Sequence, residues 1–166
     1  MKTLFLMRHA KSSWKDDSLE DHERPLKKRG KKDIKLIAKV MKKSDLKPEL
    51  IITSSAVRAK ETAELLAEAL GYKGKINTSD ELYMGEPSDY LKILQGIKEK
   101  YNSVLFVGHN PGLEAYLQII DGEIESLPTG GLGYLMLAVD EWDEITIETM
   151  GDLVGFWKPK DLREDK

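Results

Sequence analysis

The sequence predicts an α/β fold with a largely parallel sheet. Short apolar runs, typical of buried strands, alternate with longer segments in which apolar residues recur with helical period, and this alternation is typical of βαβ units. With 166 residues, of which 40% are hydrophobic, the chain is long enough for one domain with a sizeable core. We therefore expect a single domain over residues 1–166, with a frayed tail from about 158 to 166.

Four buried strands follow the apolar runs along the chain. They are expected near residues 3–8, 49–53, 75–78 and 103–107. Between the first two strands, apolar residues recur at i, i+3, i+4 and i+7 from Ile34 to Met41. This period predicts a helix over 28–43 whose lysines lie on the opposite face.

Serine and glycine mark the limits of the second helix. It is expected over residues 56–70, where small and apolar residues continue the helical pattern. Ser54 or Ser55 can cap its start. Gly71 suits the left-handed conformation that ends many helices.

Proline starts two further helices, from 87 to about 98 and from 111 to about 120. The second of these has Asn110 as its expected N-cap. After residue 131 the pattern changes to two apolar strands, 132–139 and 145–150, joined by an acidic turn. We expect an antiparallel hairpin that closes one end of the sheet.

Composition narrows the classes of function. A net charge of −3 with 33% charged residues is ordinary for a soluble protein, so neither a nucleic-acid partner nor a membrane partner is expected. The chain has no cysteine, which excludes disulfides, thiolate nucleophiles and cysteine-based zinc sites. Its apolar start is too short for a signal peptide or a membrane span, and we expect a cytoplasmic protein.

Arginine and histidine follow the strands at one edge of the predicted sheet. Arg8 and His9 end the first strand, Arg58 lies in the first turn of the helix after the second strand, and His109 follows the fourth strand. Ligands of open α/β sheets bind beyond the carboxyl ends of the parallel strands. Two guanidinium forks suit a phosphate dianion, and a neutral imidazole can attack phosphorus, so phosphoryl transfer without metal is expected.

Other chemistries have little support in the sequence. It lacks the phosphate-binding loop of nucleotide hydrolases, the nucleophile elbow of α/β-hydrolases, a dinucleotide motif after the first strand, and H-E-x-x-H. The three histidines are widely separated and show no pattern of metal ligands. We therefore expect neither a cofactor nor a metal.

Four ordered segments carry a resemblance to a known family. They are LMRHAKSSW at 6–14, DHERPL at 21–26 followed by RG at 29–30, TSSAVRAKETA at 53–63, and VGHNPG at 107–112. With these motifs the chain resembles the histidine phosphatase (phosphoglycerate mutase-like) superfamily, and within it most the SixA phosphohistidine phosphatases. The resemblance runs from residue 1 to about 150. It implies a three-layer α/β/α sandwich with a mixed sheet.

The resemblance also implies roles for the residues at the strand ends. His9 would be the nucleophile that forms a phosphohistidine intermediate. Arg8 and Arg58 would clamp the phosphate. His109 would donate a hydrogen bond to it and stabilise the transition state.

Further residues are expected to bind substrate. The resemblance implies that Arg24 joins the phosphate site and that Thr129 and Gly130 lie near the phosphate. Ser12 is expected in a loop that faces the substrate, and Asn110 at a helix start that offers backbone donors to it. Two of these residues have plain structural alternatives, because Arg24 can pair with a neighbouring carboxylate and Ser12 can belong to a local turn.

A general acid is the least defined part of the expected site. Larger members of the superfamily place a glutamate in an E-x-x-x-G segment, and Glu81 to Gly85 fits that spacing, with Glu86 and Asp89 as alternatives. Residues 82–108 number only 27, too few for a helical lid over the site. An open cleft can admit a phosphorylated side chain of another protein, whereas a small sugar phosphate would find few walls.

The expected function is a metal-independent phosphatase that hydrolyses protein phosphohistidine through a covalent phosphate on His9. One alternative is a broad phosphatase for small phosphomonoesters, which needs an acid such as Glu81. The other is a noncatalytic phosphate-binding module. The partner is accordingly a phosphohistidine-bearing protein or a small phosphorylated substrate. The lysine-rich helix over 28–43 is either a solvated face or a docking surface for an acidic protein.

Overall fold

The computed structural model describes residues 1–124 and 126–164. The strands are β1 (Lys2–Arg8), β2 (Leu50–Ser54), β3 (Ile76–Ser79), β4 (Ser103–Gly108), β5 (Leu132–Leu137) and β6 (Gly151–Trp157). The α-helices are α1 (Lys28–Lys43), α2 (Val57–Leu70), α3 (Pro87–Gln95), α4 (Gly112–Asp121) and α5 (Pro159–Glu164). Within these described ranges, no helix combines the length and the apolar character that crossing a membrane requires.

The six strands form one sheet in the order β3-β2-β4-β1-β5-β6. β1, β2, β3 and β4 pair in parallel, while β5 is antiparallel to both of its neighbours. The prediction of a mostly parallel sheet with an antiparallel strand is confirmed. Because β5 joins β1 directly, the hairpin extends the sheet beyond its central strands.

Helices cover both faces of the sheet, and alternate residues of each strand contact opposite layers. On β1, Leu4 and Leu6 belong to the core under α3 and α4, whereas Phe5 and Met7 belong to the core under α1 and α2. This alternation is the period of two that a strand buried on both faces must have. The three-layer α/β/α sandwich is thereby confirmed.

The topology creates a crevice between β1 and β4. These neighbouring strands pair in parallel, with Arg8 opposite Gly108 at their carboxyl ends. The chain leaves β1 toward α1 on one face and leaves β4 toward α4 on the other. Ligand sites of open α/β sheets lie at such switch points.

The hairpin begins as expected but its second strand lies elsewhere. The prediction of a strand over 145–150 is wrong, and β6 occupies residues 151–157 instead. A 3-10 helix buries Trp142, and the turn that follows is closed by a hydrogen bond from the Thr149 N–H to the Thr146 carbonyl at 3.1 Å. The alternating apolar residues at 145–150 therefore have the pattern of a strand, although the segment forms a turn.

Two helix starts and one helix end also differ from the prediction. Neither serine caps α2, whose N-cap is Ala56; the Ser54 hydroxyl instead accepts the Ala56 N–H. The N-cap of α4 is Pro111, and the Asn110 side chain is bonded instead to α4 and to the loop that follows it. α3 ends at Gln95, three residues before the predicted end.

The carboxyl-terminal tail is ordered where the structure describes it. Residues 159–164 form α5, which corrects the expectation of a frayed tail from about 158. Pro159 is buried, Leu162 packs against the core under α1, and Arg163 forms an ion pair with Asp33 of α1. Tertiary contacts therefore hold a segment whose own sequence is too short and polar to predict a helix. Residues 165–166 lie outside the described range.

Candidate active site

A cavity of about 420 Å³ lies at the carboxyl ends of β1 and β4. It brings together most of the residues that the sequence singled out, from β1, the loop after it, α2, the loop after β4 and the loop before β5. These are Arg8, His9, Ser12, Arg24, Arg58, His109, Asn110 and Thr129. Residues more than a hundred positions apart thus share one concave surface.

The imidazole ring of His9 is oriented by a hydrogen bond between its Nδ1 and the backbone of the next residue. The backbone N–H of His9 donates to the Gly108 carbonyl at 3.0 Å, which fixes the residue against β4. The ring Nδ1 lies 2.8 Å from the Ala10 carbonyl, and a carbonyl can only accept, so Nδ1 carries the proton and Nε2 keeps its lone pair. Burial lowers the pKa of His9 to about 4, and nearby guanidinium groups act in the same direction. The ring is therefore neutral at neutral pH, and the lone pair of Nε2 is available.

His109 faces His9 with the opposite tautomer. The two ring centroids are 5.1 Å apart, and His109 Nε2 lies 2.8 Å from the Ser54 hydroxyl. That hydroxyl accepts the Ala56 N–H and can donate its own proton to Nε2, and with this bond the ring proton lies on Nδ1. Nδ1 is buried without a partner among the described residues. It is a free donor for a phosphate oxygen.

The neutral state of His109 has a clear physical cause. Burial is the main effect that lowers the pKa of His109 to about 3, and the neighbouring His9 and Arg58 lower it further. Both histidines are therefore uncharged at neutral pH. The positive charge that attracts a phosphate comes from the arginines.

Arg8 lies near a carboxylate that the sequence did not single out. Its Nη1 donates to the Leu127 carbonyl at 3.2 Å, and its Nε has no partner in the described structure. Glu114 of α4 accepts the Leu127 N–H at 2.6 Å and the Asn110 side-chain amide at 3.1 Å, and its charge also acts on Arg8. Glu114 thus connects α4 to the loop before β5 and to Asn110 in the cavity wall. Only its position four residues after Asn110 in the sequence hints at this role.

Asp21 joins the two arginines on the other side of the cavity. Its carboxylate accepts Arg24 Nη1 at 2.9 Å and Arg58 Nη2 at 3.0 Å, and the Tyr83 hydroxyl donates to it at 2.6 Å. The Tyr83 hydrogen bond, together with the bonds from both arginines, holds the pKa of Asp21 well below its usual range. Asp21 is the only carboxylate among the described residues that line the cavity, and it is ionised.

Arg24 lies in the cavity wall and is paired there with a carboxylate. It pairs with Asp21, and it also lines the cavity. Its Nη2 donates to the Ser12 hydroxyl at 2.6 Å, and its guanidinium stacks on the Trp14 ring 3.2 Å from the ring centroid. Arg24 therefore links the loop after β1 to the segment that carries Asp21.

Two predicted site residues do not line the cavity. Glu81 is exposed in a 3-10 helix outside it, so the structure does not bring this candidate acid to the site. Its alternatives, Glu86 and Asp89, form the capping box of α3. Gly130 has a φ of 75°, which favours glycine, and its N–H donates to the carbonyls of the last residue of β1 and of the residue after it rather than toward the cavity.

The cavity is open to solvent. Trp14 and Met84 stand at its rim with 74% and 81% of their surface exposed. Between β3 and β4 the chain forms only a 3-10 helix and α3, and α3 packs on the sheet instead of covering the site. The expectation of a site without a helical lid is met. Within the described residues, no three potential metal ligands from histidine, cysteine, aspartate and glutamate come together.

Comparison with known proteins identifies the family of this chain. Residues 4–83 match the family model of the histidine phosphatase superfamily (branch 1). A chloroplastic protein of Arabidopsis thaliana, itself uncharacterized, is 31% identical over 155 residues, which cover 86% of this chain and 70% of that protein. The chain belongs to the histidine phosphatase superfamily.

Solved structures place it beside SixA within that superfamily. A proposed phosphohistidine phosphatase SixA from Agrobacterium tumefaciens is 28% identical, with a TM-score of 0.81 over 95% of this chain and 98% of that chain. The protein histidine phosphatase SixA complexed with tungstate has the same fold, with a TM-score of 0.82 at 22% identity over 96% and 99% of the two chains. The predicted resemblance to SixA is confirmed.

Proposed function

We propose that this protein is a metal-independent phosphatase that removes phosphate from protein phosphohistidine through a covalent intermediate on His9. One observation carries the choice of substrate: the cavity has a neutral histidine nucleophile and arginine clamps but no carboxyl group able to donate a proton. An ester substrate leaves as an alkoxide and needs such a donor. A phosphorylated imidazole does not.

The first step transfers the phosphoryl group from the substrate to the enzyme. The lone pair of His9 Nε2 attacks phosphorus, a new P–N bond forms, and the P–N bond of the substrate breaks. The substrate imidazole leaves as a neutral group when solvent has protonated its other nitrogen. Because one P–N bond replaces another, the step is close to balanced in energy.

The arginines and His109 stabilise the charge that is being moved. Arg8 and Arg58 offer donors to the equatorial phosphate oxygens from two sides of the cavity. The Nδ1–H of His109 supplies a further hydrogen bond. In the second step water attacks the phosphorus of the intermediate, the P–N bond to His9 breaks, and inorganic phosphate leaves.

The rim of the cavity favours a protein as the phosphate donor. The exposed indole of Trp14 and the exposed thioether of Met84 present apolar surface beside a strongly polar cavity. Aromatic and methionine side chains are enriched where proteins contact one another. A small metabolite would leave both side chains in solvent.

Phosphate release from a histidine-phosphorylated phosphocarrier domain tests the proposal. The reaction is run in the presence of a metal chelator with the wild-type protein and with His9→Ala, and para-nitrophenyl phosphate serves as a parallel substrate. We expect kcat/KM for the carrier to exceed that for the aryl phosphate, and both activities to be lost in His9→Ala. A radiolabelled phosphoenzyme that is stable in alkali should form only when His9 is present.

The third histidine supplies the matched control. His22 lies outside the cavity lining, so His22→Ala should still form the labelled intermediate. Turnover of the aryl phosphate alone would reassign the protein to small phosphomonoesters. Tight phosphate binding with no turnover of either substrate would indicate a noncatalytic phosphate-binding module.

A further inference from the structure

A second, basic cleft adjoins the catalytic cavity. It has a volume of about 320 Å³ and lies between the start of α1, the loop before β5 and α5. Lys11 and Thr129 line both the catalytic cavity and this cleft, so the two are continuous. We call the second one the basic cleft, after its cationic residues Lys11, Arg29, Lys158, Lys160 and Arg163.

The charges of the basic cleft are largely unpaired. Five cationic side chains line it against two carboxylates, and one of these, Asp33, is neutralised by Arg163. In the described part of the chain, none of Arg29, Lys158 and Lys160 lies in an ion pair. All three are exposed. Since the chain as a whole carries a net charge of −3, this positive surface is not a by-product of composition.

Packing and hydrogen bonds connect the basic cleft to the catalytic cavity. A Cβ added at Gly130 would lie 3.0 Å from Pro159, so the start of α5 packs tightly against the loop before β5. The Gly130 N–H in turn donates to the carbonyl of His9 at 2.9 Å. On the other wall, the Lys11 carbonyl accepts the Lys27 N–H next to α1. The spacing between the nucleophile and the cations of α5 is therefore set by the fold.

We infer that the basic cleft binds carboxylate side chains that flank the phosphorylated histidine of the protein substrate. This inference rests on the proposed function and adds a specificity site to it. The phosphate would enter the arginine-lined cavity while acidic residues beside it meet Arg29, Lys158 and Lys160. Charge complementarity of this kind selects partners and accelerates association more than it strengthens the chemical step.

Two histidine-phosphorylated peptides test the inference. They have the same length and differ only at the residues that flank the phosphohistidine, which are glutamate in one peptide and glutamine in the other. We expect wild-type kcat/KM to be about tenfold higher for the glutamate peptide, mainly through KM, and this preference to shrink as salt is added. The triple variant Arg29→Gln/Lys158→Gln/Lys160→Gln should hydrolyse both peptides equally.

A second triple variant removes the same charge elsewhere. Lys39→Gln/Lys42→Gln/Lys43→Gln changes three exposed lysines near the far end of α1, and Lys42 lies about 20 Å from Arg29 along the helix axis. This variant should keep the preference for the glutamate peptide. Turnover of para-nitrophenyl phosphate, which has no flanking carboxylates, should be the same in wild type and in both variants and reports that each is folded.

The outcomes separate the inference from the proposed function. If the wild-type protein hydrolyses the two peptides equally, the basic cleft does not bind the flanking carboxylates, and the inference is overturned. The proposed phosphohistidine activity is then still supported. The inference would also be overturned if Arg29→Gln/Lys158→Gln/Lys160→Gln keeps the preference for the glutamate peptide, or if the preference falls equally in both triple variants. If neither peptide is hydrolysed while the aryl phosphate is, the proposed function fails and the inference fails with it.

Discussion

At the residue scale, the reactivity of the site depends on which ring nitrogen of each histidine carries the proton. The Ala10 carbonyl determines this for His9, and we infer that the Ser54 hydroxyl, by donating to Nε2, determines it for His109. Ala10 directly follows His9 in the chain, and Ser54 is the last residue of β2, just before the helix that carries Arg58. Their effect is to leave one lone pair and one N–H available to the phosphate.

The role of Ser54 can be separated from that of its neighbour. Ser54→Ala removes the hydroxyl that bonds His109 Nε2, so the Nδ1–H is no longer enforced and kcat should fall about tenfold, as expected for one lost hydrogen bond. Steady-state kinetics with the phosphocarrier substrate measures this. Ser55→Ala is the matched control and should keep wild-type kcat, because the Ser55 hydroxyl bonds His22, which does not line the cavity. Equal losses in the two variants would contradict the tautomer argument.

Glu81 provides a test of the missing acid. It is exposed and does not line the cavity, so Glu81→Gln should retain kcat for both para-nitrophenyl phosphate and the phosphocarrier. The measurement is a comparison of kcat for the two substrates in variant and wild type. A loss confined to the aryl phosphate would restore Glu81 as the acid for esters and favour the small-molecule alternative.

At the element scale, α5 packs against the loop that supports His9. Its first residue packs on Gly130, and Arg163 pairs with the buried Asp33 of α1. An element of six residues has no stability of its own, so these contacts decide that it is helical. The same contacts transmit its position to the carbonyl groups at the end of β1.

The ion pair between α5 and α1 should be measurable in stability. Arg163→Ala leaves the Asp33 carboxylate buried without its partner, so the free energy of unfolding should fall by about 2 kcal/mol, less than for a fully buried pair because Arg163 is partly exposed. Urea denaturation measures the change. Lys160→Ala on the same helix is the control and should alter stability little. Adding Asp33→Asn to Arg163→Ala should recover part of the loss, and no recovery would mean that the pair itself contributes little.

At the scale of the whole molecule, the buried neutral histidines couple stability to pH. The pKa of His9 is lowered to about 4 and that of His109 to about 3, whereas an unfolded histidine titrates near 6.5. Below pH 6.5 the unfolded chain therefore binds protons that the folded chain does not. Stability is fully present above pH 6.5 and is lost as the pH falls toward 4.

The loss for His9 alone is on the order of 3 kcal/mol between pH 6.5 and 4. Urea unfolding at a series of pH values measures it, and His9→Asn/His109→Asn should have a clearly shallower slope over this range. Asp21, whose pKa is also lowered, loses its contribution only as the pH falls below the usual range of a carboxyl group, so it does not account for this slope. Identical slopes in variant and wild type would exclude the histidines as the cause.

The sequence determined by itself whatever depends on neighbours along the chain. Helical period set α1 from residue 28 to 43, and apolar runs located the four parallel strands because a strand buried on both faces must be apolar throughout. Since parallel strands end at one edge, the meeting of Arg8, His9, Arg58 and His109 also followed from the sequence.

Only the tertiary structure decided what depends on contacts between distant residues. In the structure, β6 begins only after the turn that follows the buried Trp142, and α5 packs against α1. Glu81 lies outside the cavity lining. The tertiary structure also paired Asp21 with two arginines and joined the basic cleft to the catalytic cavity. The physical reason is the same in each case. Burial, ion pairing and hydrogen bonding act through space, and no local pattern of residue types records which distant group will be the partner.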